Sequence, residues 1–183
     1  MSGDESLLAS RAEQLRRAFD DSFAHAEATA QSERVELLII RVGPDPHAIR
    51  LSETGGVFAD RRITRVPGPL PELAGLVSLR GALVPVYDLR LLLGYGSGPP
   101  LRWLVLDAGG ALGLGFDQVD GHLVASPAAI VAEPGGANGA GGRARHVVEL
   151  PSGGCAPLLS VAALAEDIEA RVRRTRPPKE RSR

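Results

Sequence analysis

The sequence predicts a mainly β protein, built either as one domain of ordinary size or as two small barrels sharing a core. Short runs rich in Val, Ile and Leu recur from Val35 to Leu159, bounded by turns containing Gly and Pro. That is the signature of strands and hairpins. Extended helical spacing is confined to the two ends of the chain. Aromatics make up only 4% of the 183 residues, so the interior must be branched aliphatics and small side chains, which suits closely packed strands. A chain near this length buries roughly 70% of its unfolded surface, enough for a real core.

In residues 1–33, Leu8, Ala12, Leu15, Phe19, Phe23 and Ala26 recur at spacings of three and four, with charged residues between. This predicts an N-terminal amphipathic helix, with Asp4 or Ser6 near its start as a cap. Its apolar stripe suits either the protein's own core or the grip of a partner. Residues 34–172 form the β domain. Val35 to Val42 is a strand, Gly43-Pro44-Asp45-Pro46 a turn, and His47 to Leu51 the returning strand. Thr54-Gly55-Gly56 weakens the next strand, which resumes from Val57 to Val66; Pro67 to Pro71 is too proline-rich for a sheet interior.

Gly75 to Gly94, GLVSLRGALVPVYDLRLLLG, is the most patterned stretch. Two β-rich runs flank Arg80-Gly81, where a glycine permits a sharp bend, so the two strands are expected to meet at a corner. Pro85 donates no ladder hydrogen bond, which places its strand at a sheet edge, at a bulge, or where barrel strands separate. Asp88 is suited to cap a short helix from Leu89 to Leu93, and Gly94 to end it. Trp103 to Asp107 and Ala111 to Phe116 form a second hairpin, which Val119 to Ser126 continues. Pro134 to Arg145 is a Gly/Ala loop. His146 to Leu150 and Cys155 to Leu159 make a third hairpin, and Ser160 caps a short C-terminal helix from Val161 to about Arg173. Residues 173–183 read as a disordered basic tail.

The formal net charge of -1 and pI near 6.4 exclude a global attraction for nucleic acid or an anionic membrane. Cys155 is the single cysteine, which rules out an intramolecular disulfide, and its apolar strand suggests a small buried residue. No secretory h-region or membrane-length apolar run is present, which predicts a cytoplasmic, soluble protein.

No catalytic constellation is found, and neither cofactor nor metal is expected. His25, His47, His122 and His146 sit singly in different segments. Ser97 lacks the flanking glycines of a nucleophile elbow, and no Gly-rich stretch completes a phosphate-binding fingerprint. Asp117 and Asp120, beside Gly121, read as ordinary turn residues.

The Gly75–Gly94 stretch resembles the signature of the CheW-like coupling proteins of bacterial chemotaxis arrays, Gly-Val-x-Asn-Leu-Arg-Gly-x-Val-Val-Pro-Val-x-Asp-Leu-Arg. Gly75, Leu79, Arg80, Gly81, Pro85, Val86, Asp88, Leu89 and Arg90 match it. The likeness runs from about Val35 to Leu164, through Thr64-Arg65-Val66-Pro67 and a Gly-x-x-x-Asp-x-Val step at Gly113 to Val119.

The resemblance implies two SH3-like five-stranded β-barrels packed side by side and no enzymatic activity. It also implies an adaptor role, joining the cytoplasmic tip of a methyl-accepting chemoreceptor to the regulatory domain of a CheA-type histidine kinase. The receptor helix is expected in the groove between barrels, with the kinase at one barrel's end. Arg80 is then the principal assembly residue. Leu51, Val57 and Leu83 fall at apolar groove positions, and Thr54 and Gly75 near the kinase contact. The chain departs from the pattern at Thr54-Gly55-Gly56-Val57, where the family commonly has Val-x-Glu-Ile, so the glutamate position holds Gly56. Ser78 replaces the motif asparagine. The two glycines are expected to make that strand more mobile, and the lost charge suggests an altered set of partners, such as kinase alone or receptor alone in a non-flagellar pathway. From a different class, SH3-like barrels also bind nucleic acid, which here would act through the basic tail, but the barrels lack a basic stripe with interleaved aromatics.

Overall fold

Val35–Val42 (β1) and Asp45–Arg50 (β2) pair antiparallel with Val42 opposite Asp45, which leaves Gly43-Pro44 as a two-residue turn. The computed structural model describes residues 34–68, 70–132 and 144–175. The expected N-terminal helix lies outside the described residues, as does the basic tail beyond Thr175. After a 3-10 turn at Leu51–Glu53 come Thr54–Ala59 (β3), Leu73–Leu79 (β4), Ala82–Asp88 (β5) and the helix Leu89–Leu93 (α1). Trp103–Asp107 (β6), Gly113–Phe116 (β7) and Gln118–Ala125 (β8) follow. The described chain ends with Ile130–Ala132 (β9), Ala144–Glu149 (β10), Cys155–Leu159 (β11) and the helix Val161–Thr175 (α2).

The strands form two sheets, ordered β8-β1-β2-β11-β10-β9 and β3-β6-β7-β5-β4. The first sheet thus has six strands, where two sets of five were expected, because β9, which the sequence did not signal, adds to β10. Each sheet has a small apolar core of its own, one around Leu37, Ala48 and Leu158 and one around Val77, Val84 and Leu104. A third and larger cluster draws on both, with Ile40 and Ile49 from one sheet, Val105 and Leu114 from the other, and Leu164 and Ile168 from α2. Two layers joined by a shared interior bury more apolar surface than either sheet alone, and burying each such Leu or Ile contributes roughly 1.5–3 kcal/mol before chain entropy is counted.

Helix α2 closes this core because Val161, Leu164 and Ile168 fall on one stripe and are buried. Its first turn is capped from a distance: Glu53 Oε2 accepts from the Val161 N–H at 2.8 Å and from the Ser160 hydroxyl at 3.1 Å. A carboxylate suits the positive end of a helix. Arg171, near the other end, pairs with Glu72 Oε1 at 3.0 Å, so α2 is tied to both sheets.

Several expectations change. Arg80 and Gly81 form a tight two-residue hairpin turn, with Leu79 opposite Ala82, and not a corner. β3 stops at Ala59, because Asp60 turns the chain with φ 53; of the segment expected to continue to Val66, only Thr64 pairs, with Leu76. β8 leaves the sheet of β7 and pairs with β1, so the chain crosses between sheets at Asp117. Pro85 lies where strands separate: β5 pairs with β7 only from Val86 to Asp88. β10 begins at Ala144, inside the expected loop, and α2 runs past Arg173 into the expected tail. Gly55 and Gly56 occupy a shift in the β3–β6 register, and a Cβ on Gly55 would lie 2.6 Å from the Asp107 carbonyl. They let the strand bulge tightly against its neighbour.

Candidate functional site

The Arg80 turn is conformationally demanding for a residue with a side chain. Arg80 has φ 51 and Gly81 φ 82, the left-handed pair that a two-residue hairpin needs to match the twist of its strands. The turn projects the Arg80 side chain into solvent, with its guanidinium carbon 5.9 Å from the Phe58 ring centroid; Arg61 stands at 5.7 Å over the same ring. The structure therefore gives Arg80 a local partner that the sequence did not reveal. A cation–π contact at such an exposed position is worth about 0.5–1 kcal/mol, too little to account for an arginine here by stability alone.

Leu83, three residues on, is 72% exposed and borders an open groove of about 560 Å³ whose other wall is the segment Asp60 to Thr64. Thr54 donates its hydroxyl to the Leu51 carbonyl at 2.9 Å, closing the 3-10 turn that leads into β3. Leu51 and Val57 are half-buried against the shared core. Gly75 is buried and has φ +148; a Cβ there would fall on the Thr64 carbonyl, well inside contact distance. The structure thus brings Arg80 to β3 through Phe58 and places Leu83 beside a groove. Gly75 is left as a packing position beneath the Thr64 bridge, and Leu51 and Val57 present only part of their surface.

The second half of the motif is a buried ionic hub. Asp88 Oδ1 accepts from the Arg90 N–H at 2.9 Å, capping α1, and Gly94 ends the helix with φ 86. The Arg90 guanidinium binds Asp88 through Nε at 3.2 Å and Nη2 at 2.9 Å. Its Nη1 is 3.0 Å from Asp117 Oδ1, an ion pair whose angles fall short of a hydrogen bond. Asp117 Oδ2 in turn accepts from the Gly43 N–H at 3.1 Å, in the β1–β2 turn. Arg90 is only 4% exposed, and its pKa is raised, chiefly by the Asp88 hydrogen bonds and against the opposing effect of burial. Asp117 is therefore no ordinary turn residue, and Asp120 pairs with Arg41 at 2.6 Å. The sequence carried no signal for these partners, which lie far apart along the chain.

A second polar cluster sits at the β1–β2 turn. The Tyr95 hydroxyl donates to Asp45 Oδ2 at 2.7 Å, and its pKa is pushed up to about 12, first by burial and then by that bond. His47 is 3% exposed with its ring at right angles to that of Tyr95, and burial lowers its pKa against the pull of Asp45. Cys155, expected to be buried, is exposed at the start of β11. Among the described residues no group of three or more His, Cys, Asp or Glu side chains is placed to hold a metal. None of their helices is long and apolar enough to cross a membrane.

Comparison with known proteins agrees with this architecture. A family model described as the CheW-like domain matches residues 36–169. The chemotaxis protein CheW of Bacillus subtilis (strain 168) is 33% identical over 55 residues, which are 30% of this chain and 35% of that protein. The aligned part thus spans about a third of that relative's length. Among solved structures, the scaffolding protein TtCheW from Thermoanaerobacter tengcongensis superposes with a TM-score of 0.64 and 17% identity, covering 71% of this chain and 91% of that one. At that identity the match speaks for the fold.

Proposed function

This chain belongs to the CheW-like domain family, whose members are non-enzymatic scaffolds of chemotaxis-type signalling, and on that premise we propose that it couples chemoreceptor tips to a CheA-type histidine kinase. The observation that carries the reading is the division of the family motif. Residues Val84 to Leu93 are almost wholly buried in cores or in the Arg90 hub, whereas Arg80 to Leu83 stand in solvent with nothing in the fold to require an arginine and a leucine there. Exposed residues that the fold does not need are what a docking surface is made of. In this reading the two sheets act as two SH3-like barrels, the kinase regulatory domain and the receptor tip are the partners, and the protein works in the cytoplasm at membrane-anchored receptor arrays.

Capture of purified kinase regulatory domain and of a receptor-tip fragment by the full chain tests this, with Arg80→Glu as the control. Both partners bind the native chain, and the charge reversal weakens at least one of them by about tenfold or more. No capture of either partner overturns the reading. A narrower version, a modulator that engages only the kinase or only the receptor, is favoured by Gly56 at the position of the family's glutamate. Capture of one partner alone selects it.

A further inference from the structure

We propose that the groove between Leu83 and the β3–β4 loop receives an acidic peptide segment that carries one large apolar side chain. The proposal takes from the adaptor reading only that the partner is a protein, and it states the chemistry that partner must show at this surface. Arg61, Arg62 and Arg65 lie exposed on the loop, Arg80 on the adjoining turn, and none is ion-paired among the described residues. The loop's two carboxylates are already engaged, Asp60 by Arg102 at 3.1 Å and Glu72 by Arg171 at 3.0 Å. The whole chain carries a formal charge of -1, so this surface is a local excess of positive charge that the overall balance conceals.

The same surface holds an apolar anchor point. Leu83 is the most exposed large hydrophobic residue among those described, and the groove floor beside it is formed by Leu76 and Ser78 of β4. The loop is braced: Asp60 N–H donates to the Arg102 carbonyl, and Thr64 and Leu76 exchange two backbone hydrogen bonds, each at 2.8 Å. Arg61 is held over Phe58. Charges mounted on a braced loop lose less freedom on binding, which favours a preformed site. Guanidinium groups grip carboxylates through paired parallel hydrogen bonds, so Arg61 and Arg62, which line the groove with Leu83, fit glutamate or aspartate flanking an apolar residue. Single-stranded nucleic acid fits less well, because it stacks on aromatic faces and the one ring at hand, Phe58, has two arginines beside it; a duplex would leave the exposed leucine unused, since leucine has nothing to offer a phosphate backbone.

The test uses the full chain and a fluorescein-labelled peptide of Glu-Ala repeats with one central leucine, followed by anisotropy at low and at physiological salt. Binding is expected to weaken as salt rises. The double variant Arg61→Glu/Arg62→Glu loses at least about tenfold in affinity, the loss of charge-assisted contacts being compounded by repulsion. Leu83→Ser loses about fivefold, and a peptide with glutamine for glutamate loses binding. All three positions are exposed, and an unchanged thermal melt shows that the variants remain folded. Affinity within about twofold of the native value for either variant overturns the proposal. So does a short DNA duplex that competes as well as the peptide. If neither kinase nor receptor is captured but the peptide still binds as described, only the adaptor reading fails; if capture is intact and the peptide fails, only this inference does.

Discussion

Replacing Arg90 with alanine removes the charge that holds three segments together. The guanidinium makes two hydrogen bonds to Asp88 and an ion pair to Asp117, while Asp117 also holds the β1–β2 turn through Gly43. In Arg90→Ala the Asp88 and Asp117 carboxylates remain, both largely withdrawn from water, without a cation between them. Breaking a buried ion pair by deleting one partner costs about 3–5 kcal/mol, because the remaining charge is left uncompensated. A single domain has only about 5–15 kcal/mol in hand, so roughly a fifth or more of the stability is at stake. For a unit of this size that is roughly 6–20 °C in Tm. Urea and thermal unfolding followed by circular dichroism measure it. Arg90→Ala/Asp117→Asn separates charge from packing: the asparagine carbonyl still accepts from Gly43, one stranded charge is gone, and about 1–2 kcal/mol returns. A loss below about 1 kcal/mol for Arg90→Ala, the value of a solvent-screened surface pair, would refute the hub.

Two further outcomes follow from backbone and burial. In Gly75→Ala the new Cβ meets the Thr64 carbonyl at a φ of +148, so the Thr64–Leu76 bridge has to open; the expected cost is about 2–4 kcal/mol, with the two bridge amides exchanging hydrogen like exposed ones, and an unchanged urea midpoint counts against it. His47 is buried and its folded pKa lies below the ordinary histidine value of 6.5, so the unfolded chain takes up the proton first: the stability is fully present above pH 6.5 and is lost as pH falls from there toward the folded pKa. Urea midpoints measured from about pH 8 to about pH 5 should fall in the native protein and flatten in His47→Gln; parallel profiles would sink the assignment.

Local chemistry was the part of this fold most legible in the sequence. The Asp88 cap, the Gly94 stop, the hairpin strands and the apolar stripe of α2 each depend on residues a few positions apart, and propensity and spacing report such short-range facts directly. The failures were long-range. Asp117 looked like a turn residue because its partners, Arg90 and Gly43, are brought to it only by the crossing between sheets. Cys155 was placed inside by the apolar run that follows it, yet the first residue of β11 faces solvent. At the candidate site, Arg80 and Leu83 could be chosen from the motif, but the Arg61–Phe58–Arg80 cluster could not, since nothing along the chain says that β3 passes the β4–β5 turn. The Arg61-Arg62 doublet stands in the sequence, but no spacing rule sets it apart from solvated charge.

The motif's two halves answer to different demands, and this decides how any substitution within it should be interpreted. From Val84 to Leu93 the side chains fill two cores or close the Arg90 hub, so a change there alters the frame that carries every surface, and lost binding is no evidence of contact. From Arg80 to Leu83 the side chains face water, and the turn needs only left-handed backbone at its two central positions, which asparagine or glycine would provide more readily than arginine. An arginine held in that conformation, over a ring already occupied by a second arginine, works against local preference. Such a departure calls for a demand from outside the fold, and the unpaired Arg61 and Arg62, which line the groove with Leu83, say what sign that demand carries.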